Sequence, residues 1–238
     1  MRRRRNWVAW RSQTSGGVAE DATPGIYVIA GTNGGGKSSI GGAAIRQSGA
    51  NYFNPDEITR RIRSINPGIS EREANIAAWH EGKRLLEQAI AKRLVFAFET
   101  TLGGDTMTAL LQRAAAEGIE VRMWYIALAT PDLHVARVRA RVARGGHDVP
   151  EKTIRERYDR SRVNLVRLLP ALTELRVFDN SADADPAAGR APMPLLVLHV
   201  RAGRIIAMCP VPRVPGWAKP IIAAATASSP AQRRGSSQ

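Results

Sequence analysis

The 238-residue sequence predicts an α/β domain whose core is a five-stranded parallel sheet flanked by helices. Two observations predict this class. Short β-branched and aromatic runs alternate with stretches of helical spacing, the pattern that βαβ units produce. The apolar fraction, 44%, is that of a chain that buries a core, which excludes wholesale disorder. No apolar run approaches the roughly 20 residues of a membrane-spanning helix, so an integral membrane protein is excluded.

The elements follow in order. Residues 1–23 have no sustained periodicity and read as a flexible basic leader. Ile26–Ala30, bounded by Pro24-Gly25 and a glycine-rich stretch, reads as a buried parallel strand. Lys37–Gln47 reads as a helix, Asn51–Pro55 as a short strand, and Glu57–Ser64 as a helix. Ser70-x-x-Glu73 is a capping box that opens a long helix to about Arg93. Leu94–Phe98 is the next strand, Asp105–Glu117 a helix stopped by Gly118, and Glu120–Ala129 a strand. Pro131–Ala143 is an Arg-rich helix broken by Gly145-Gly146. Asp148-x-x-Glu151 caps a further helix to about Leu169, and Leu175–Asp179 is the fifth strand. Residues 195–208, around Ala202-Gly203, read as a β-hairpin appended to a domain spanning 24–209. From Pro210 on, a Pro/Ser/Arg-rich tail is expected, with one short helix near Trp217–Ala225.

Charge is unevenly placed. The formal net charge is +14, yet residues 1–11 carry +5, 131–170 carry +5 and 186–238 carry +7, so the rest is slightly acidic. Basic ends can bind nucleic acid, but solvated termini are the favoured reading. The single cysteine, Cys209, cannot form an internal disulfide, and the basic start lacks an apolar signal region. A reduced, cytoplasmic protein is expected.

Gly31-Thr32-Asn33-Gly34-Gly35-Gly36-Lys37-Ser38 matches G-x-x-x-x-G-K-[ST] and lies between an expected strand and an expected helix. This is a P-loop. Its glycines let successive N–H groups point at a phosphate, and the following helix adds its positive end. A plain glycine turn would explain the glycines but not Lys-Ser. Lys37 is placed on the β- and γ-phosphates of ATP and Ser38 on Mg²⁺, with Gly31 through Ser39 as the nucleotide-binding set. A guanine-reading Asn-Lys-x-Asp is absent, which argues against a GTPase. The fold class is therefore P-loop NTPase/kinase-like.

A kinase also needs a carboxylate for the acceptor hydroxyl and cations over the moving phosphate. Ligands in such sheets bind beyond the carboxyl ends of the strands. Asp56 follows the short second strand, where it is either an acceptor base or a helix N-cap. Glu99 follows Leu94–Phe98 and fits a role in holding metal or substrate, with Thr100 and Thr101 beside it. Arg137, Arg139, Arg141, Arg144, Arg155, Arg157, Arg160 and Arg162 flank the Gly145-Gly146 break. Two Arg-rich helices joined this way suit a lid over a triphosphate, spanning about 131–169. Most of these arginines are solvated; Arg141 and Arg157, one per helix, are the two chosen as catalytic. His147 reads as a turn residue. Asn180, after the fifth strand, is placed beside the adenine or in an ordinary turn.

The ordered set of the P-loop, Asn54-Pro55-Asp56, Phe98-Glu99-Thr100-Thr101-Leu102, Arg144–Pro150, Arg157-Tyr-Asp-Arg-Ser161 and Asp179-Asn180-Ser181 resembles the zeta-toxin-like P-loop kinases over about residues 25–181. The resemblance implies an ATP-dependent kinase with Asp56 as the base that activates a sugar hydroxyl of UDP-N-acetylglucosamine. It implies substrate contact by Glu99 and Thr100, although the family spaces these as Glu-x-Thr and here they are adjacent. It also brings an antitoxin into view as a partner. The rival reading is a nucleic-acid-associated P-loop ATPase, or a polynucleotide-type kinase, that uses the basic tails. A third is a domain that binds nucleotide without transferring phosphate.

Overall fold

The computed structural model describes residues 24–42, 45, 52–182 and 193–228. The expected leader, four residues of the expected helix after the P-loop (43, 44, 46 and 47) and the last ten residues of the expected tail lie outside the described residues. The strands are β1 (Gly25–Ala30), β2 (Tyr52–Phe53), β3 (Phe96–Thr100), β4 (Glu120–Ala127), β5 (Glu174–Asp179), β6 (Leu195–Arg201) and β7 (Arg204–Met208). They form one seven-stranded sheet in the order β2-β3-β1-β4-β5-β6-β7. The first five are mutually parallel, as expected. The hairpin corrects the expectation: β6 pairs antiparallel with β5 and β7 with β6, so it continues the sheet and raises five strands to seven. Val197, Leu198 and Val200 are fully or nearly buried, and this apolar row joins the core face of β5 through Leu175 and Val177.

The helices are α1 (Pro55–Ile65), α2 (Glu71–Ala91), α3 (Asp105–Ala116), α4 (Pro131–Val142), α5 (Glu151–Leu168) and α6 (Lys219–Ser228). The crossovers carry α2, α3 and α5 onto the sheet, where Leu86, Leu111 and Leu165 share one core with Val28, Met123 and Val177. Trp217 and Ile221 join this core, and the Trp217 indole donates to the Asp179 carboxylate at 2.7 Å. The chain after Pro210, expected as a tail, thus packs on the domain as far as Ser228. A second cluster on the opposite face holds Ile29, Ile40, Ile45, Ala97 and Ile126 under the P-loop segment. A third, Val135, Val138, Val149 and Ile154, belongs to α4, α5 and the loop that joins them. The lid therefore has its own small core.

Two local differences shift the site residues. The capping box at Ser70 forms in full, but α2 ends through Arg93 at a φ of 52°. Leu94 and Val95 are exposed, so β3 starts two residues later than expected and Glu99 lies within it. Asp148 accepts from Val149 N at 2.7 Å instead of capping the next helix, which begins after Pro150 with no side-chain cap.

Candidate functional site

The strand order turns at β1: β3 lies on one side and β4 on the other. In a parallel sheet this is where a crevice opens above the strand ends. The P-loop leaves β1 at that point, and Gly31 N donates to Thr100 O at 3.2 Å. Gly31 has a φ of 136°, and a Cβ there would stand 2.0 Å from Ile126 O. Gly36 has a φ of 92°, and its Cβ would stand 2.5 Å from the Asn180 amide nitrogen. No other residue type fits either place. Residues Ser38–Gly42 then wind as a π-helical turn. Lys37 folds back so that Nζ donates to Gly31 O at 2.8 Å and Thr32 O at 3.3 Å. Its burial lowers the ammonium pKa, with Glu99 and Asp56 acting against that shift.

The loop is held from behind by side chains that sequence reasoning missed or assigned elsewhere. His134, on α4 and fully buried, donates from Nδ1 to Asn33 O at 2.7 Å. Its Nε2 accepts from Leu128 N at 3.2 Å. Burial pushes its pKa down to about 4, so it sits there as the neutral tautomer. Asn180 is buried and donates to Gly35 O at 3.0 Å; its amide braces the loop, where the sequence leaves it either beside the adenine or in an ordinary turn. Neither role carries a local sequence signal, since His134 and Asn33 are 101 positions apart.

In front of the loop lies a crevice of about 540 Å³, and it brings together Asn33, Lys37, Asp56, Glu99, Thr100, Thr101 and Arg157. Asn54 caps α1 by accepting from Asp56 N at 2.9 Å. Asp56 therefore does not cap the helix. It sits in the first turn behind Pro55, beside the helix's positive end, with its carboxylate 3.8 Å from Arg141. Glu99 is buried, accepts from Ser38 Oγ at 3.1 Å and also receives the Tyr52 hydroxyl. Ser38 and Ser39 are exposed. Thr100 Oγ1 accepts from Leu102 N at 3.0 Å. Leu102 is buried with a φ of 55°, and Asn164 on α5 donates to Leu102 O at 3.0 Å, which holds this strained turn in place.

Both chosen lid arginines reach the site. Arg157 Nη1 donates to Asn33 Oδ1 at 2.9 Å, and burial lowers its pKa against the attraction of Asp56. Arg141 Nη2 donates to His147 O at 2.6 Å. Its Nε is buried with no hydrogen-bond partner among the described residues. His147 itself pairs with Glu71.

A family model described as zeta toxin matches residues 9–185 of this chain. The chain belongs to the zeta toxin family. It is a P-loop phosphotransferase of the ATP-dependent kinase type. It is 32% identical over 129 residues to an uncharacterised protein of Haemophilus influenzae, a match covering 54% of this chain and 88% of that one. Among solved structures, the AvrRxo1-ORF1:-ORF2 structure with ATP has a TM-score of 0.59 at 16% identity, covering 84% of this chain. The chain spans 66% of the length of that neighbour. The PezAT toxin–antitoxin system of Streptococcus pneumoniae has a TM-score of 0.51 at 16% identity, covering 78% of this chain and 80% of that one. Both likenesses concern the fold. Among the described residues, no helix is long and apolar enough to cross a membrane.

Proposed function

We propose that this zeta toxin family member transfers the γ-phosphate of ATP to an acceptor hydroxyl, with Asp56 as the base. The observation that carries the reading is that Asn54, not Asp56, caps α1. A carboxylate is thereby released into the crevice that Lys37 and Arg157 also line. Asp56 takes the proton of the acceptor hydroxyl as its oxygen attacks phosphorus. Lys37 leaves its main-chain acceptors for the β- and γ-phosphates. The loop glycines hold the backbone curl that fits a phosphate, and Arg141 and Arg157 grip the oxygens of the moving group. Thr100 and Thr101 face the acceptor. Asn180 supports the nucleotide through Gly35 and does not touch the base.

The hard oxygen donors of Ser38 and Glu99, 3.1 Å apart, fit Mg²⁺, and these two residues would hold it. When bound, the ion neutralises charge on the phosphates. The structure with ATP and the toxin–antitoxin system among the neighbours support ATP as donor and a protein antitoxin as partner. The resemblance implies a UDP-sugar acceptor. The test is transfer from γ-labelled ATP by the full chain, compared with Lys37→Ala. The variant is expected to fold normally and lose transfer by several orders of magnitude. Turnover within about threefold of wild type would remove the P-loop from the reaction.

A further inference from the structure

We infer that Tyr52 is a positioning residue for the metal: its hydroxyl holds the Glu99 carboxylate so that one oxygen stays turned toward Ser38. The inference rests on the kinase reading and concerns the same site. Glu99 lines the crevice and Tyr52 does not, so the tyrosine acts through the carboxylate.

Strand register brings the two side chains together. The two-residue strand β2 pairs parallel with β3, Tyr52 opposite Ala97 and Phe53 opposite Phe98. Side chains alternate along a strand, so Tyr52, Ala97 and Glu99 share one face of the sheet. Phe53 and Phe98 take the other face and join the main core, while Tyr52 packs on the cluster that contains Ala97. Alanine at 97 offers so little side chain that the tyrosine ring has room to lie along β3. Its hydroxyl meets the next residue on that face, donating to Glu99 Oε1.

The turn after the P-loop leaves space for this contact. Gly42 stands against both partners: a Cβ there would lie 2.8 Å from Tyr52 Oη and 3.2 Å from Glu99 Oε1. Any side chain at 42 would press on the bond itself. Glycine at the end of the π-helical turn thus lets the hydroxyl and the carboxylate meet.

The two oxygens of Glu99 divide the work. Oε1 receives the Tyr52 hydroxyl, and Oε2 receives Ser38 Oγ at 3.1 Å. The terminal torsion of a glutamate is soft, so an untethered carboxylate turns over a wide range. A donor on Oε1 fixes that torsion and keeps Oε2 beside the serine. Mg²⁺ demands near-octahedral geometry and tolerates little displacement of its ligands. A neutral hydroxyl suits the task, because it orients the carboxylate without cancelling the charge that attracts a cation. Partners that orient a metal ligand in this way typically change metal affinity by about 10–100-fold when removed.

The experiment measures binding of the non-hydrolysable analogue AMP-PNP to the full chain by calorimetry, with and without Mg²⁺, for wild type and Tyr52→Phe. Phenylalanine keeps the ring and removes only the hydroxyl. The variant is expected to melt normally and to bind metal-free AMP-PNP within about twofold of wild type, while the gain in affinity brought by Mg²⁺ falls about tenfold. In ATP turnover, the Mg²⁺ concentration for half-maximal rate should rise about tenfold, with kcat at saturating Mg²⁺ within about threefold. A variant with the wild-type response to Mg²⁺ overturns the inference and leaves the kinase reading intact. An equal loss of affinity with and without Mg²⁺ makes Tyr52 a packing residue of the loop and also overturns it. A wild-type chain that binds AMP-PNP under neither condition removes the kinase reading, and the inference with it.

Discussion

Arg157 and Arg155 lie two positions apart on the same lid helix and do different work. Arg155 points outward, with 44% of its side chain exposed, and holds Glu151 at 2.8 Å and Asp132 at 2.6 Å. Arg139, on the other lid helix, also holds Glu151, at 2.7 Å. These outward arginines staple α4 to α5, and their charge is spent on neighbouring carboxylates. Arg157 and Arg141 point inward. They give their hydrogen bonds to an amide oxygen and a main-chain carbonyl, and among the described residues no carboxylate stands nearer to Arg141 than Asp56 at 3.8 Å. An inward guanidinium bonded to neutral groups keeps its charge for an arriving anion. The lid teaches that an arginine's partner, more than its place in a basic stretch, separates phosphate grip from surface scaffold.

The largest effect expected from breaking this comparison is at Arg157. Arg157→Ala is expected to lower kcat by on the order of 10²–10³, with Arg157→Lys recovering only part, because an ammonium lacks the planar fork. Steady-state kinetics at saturating ATP checks it. Arg141→Ala should lose about ten- to a hundredfold, since its guanidinium meets Asp56 and leaves one buried N–H unpaired until phosphate arrives.

A smaller effect concerns the pin behind the loop. His134 is neutral in the folded chain with a pKa near 4, whereas an unfolded histidine titrates near 6.5. Between these values the unfolded chain binds more protons, so the stability His134 contributes is complete above about pH 6.5 and is lost as the pH falls toward 4. The melting temperature should therefore drop over that window, and His134→Gln should flatten the drop; thermal melts at pH 7, 5.5 and 4.5 measure it. The smallest effect is at Arg155. Arg155→Ala should leave kcat and both KM values within about twofold, because exposed ion pairs contribute little.

How far the sequence reaches follows the same division. The P-loop is readable because its glycines, Lys37 and Ser38 must be consecutive to curl around a phosphate. The five parallel strands are readable from alternation. That β6 and β7 extend the same sheet is not, because antiparallel pairing to β5 depends on which edge is open. Asp56 was legible as an acid beyond a strand end, but whether it or Asn54 caps α1 turns on a two-residue offset only the backbone settles. Asn180 is legible as a residue at a strand end, but the bond of its amide to Gly35 O is not, because the two lie 145 positions apart. His134, Asn164 and Tyr52 went unread because their partners lie 101, 62 and 47 positions away.

The central claim, that Asp56 is the base of a phosphoryl transfer, is tested most directly by Asp56→Asn in the full chain. Three quantities are read together: transfer of label from ATP to the acceptor, ATP affinity and melting temperature. Because Asn54 already caps α1, the substitution should leave the melting temperature and ATP affinity nearly unchanged while transfer falls by on the order of 10²–10⁴. A variant that melts normally, binds ATP and transfers at the wild-type rate would contradict the account.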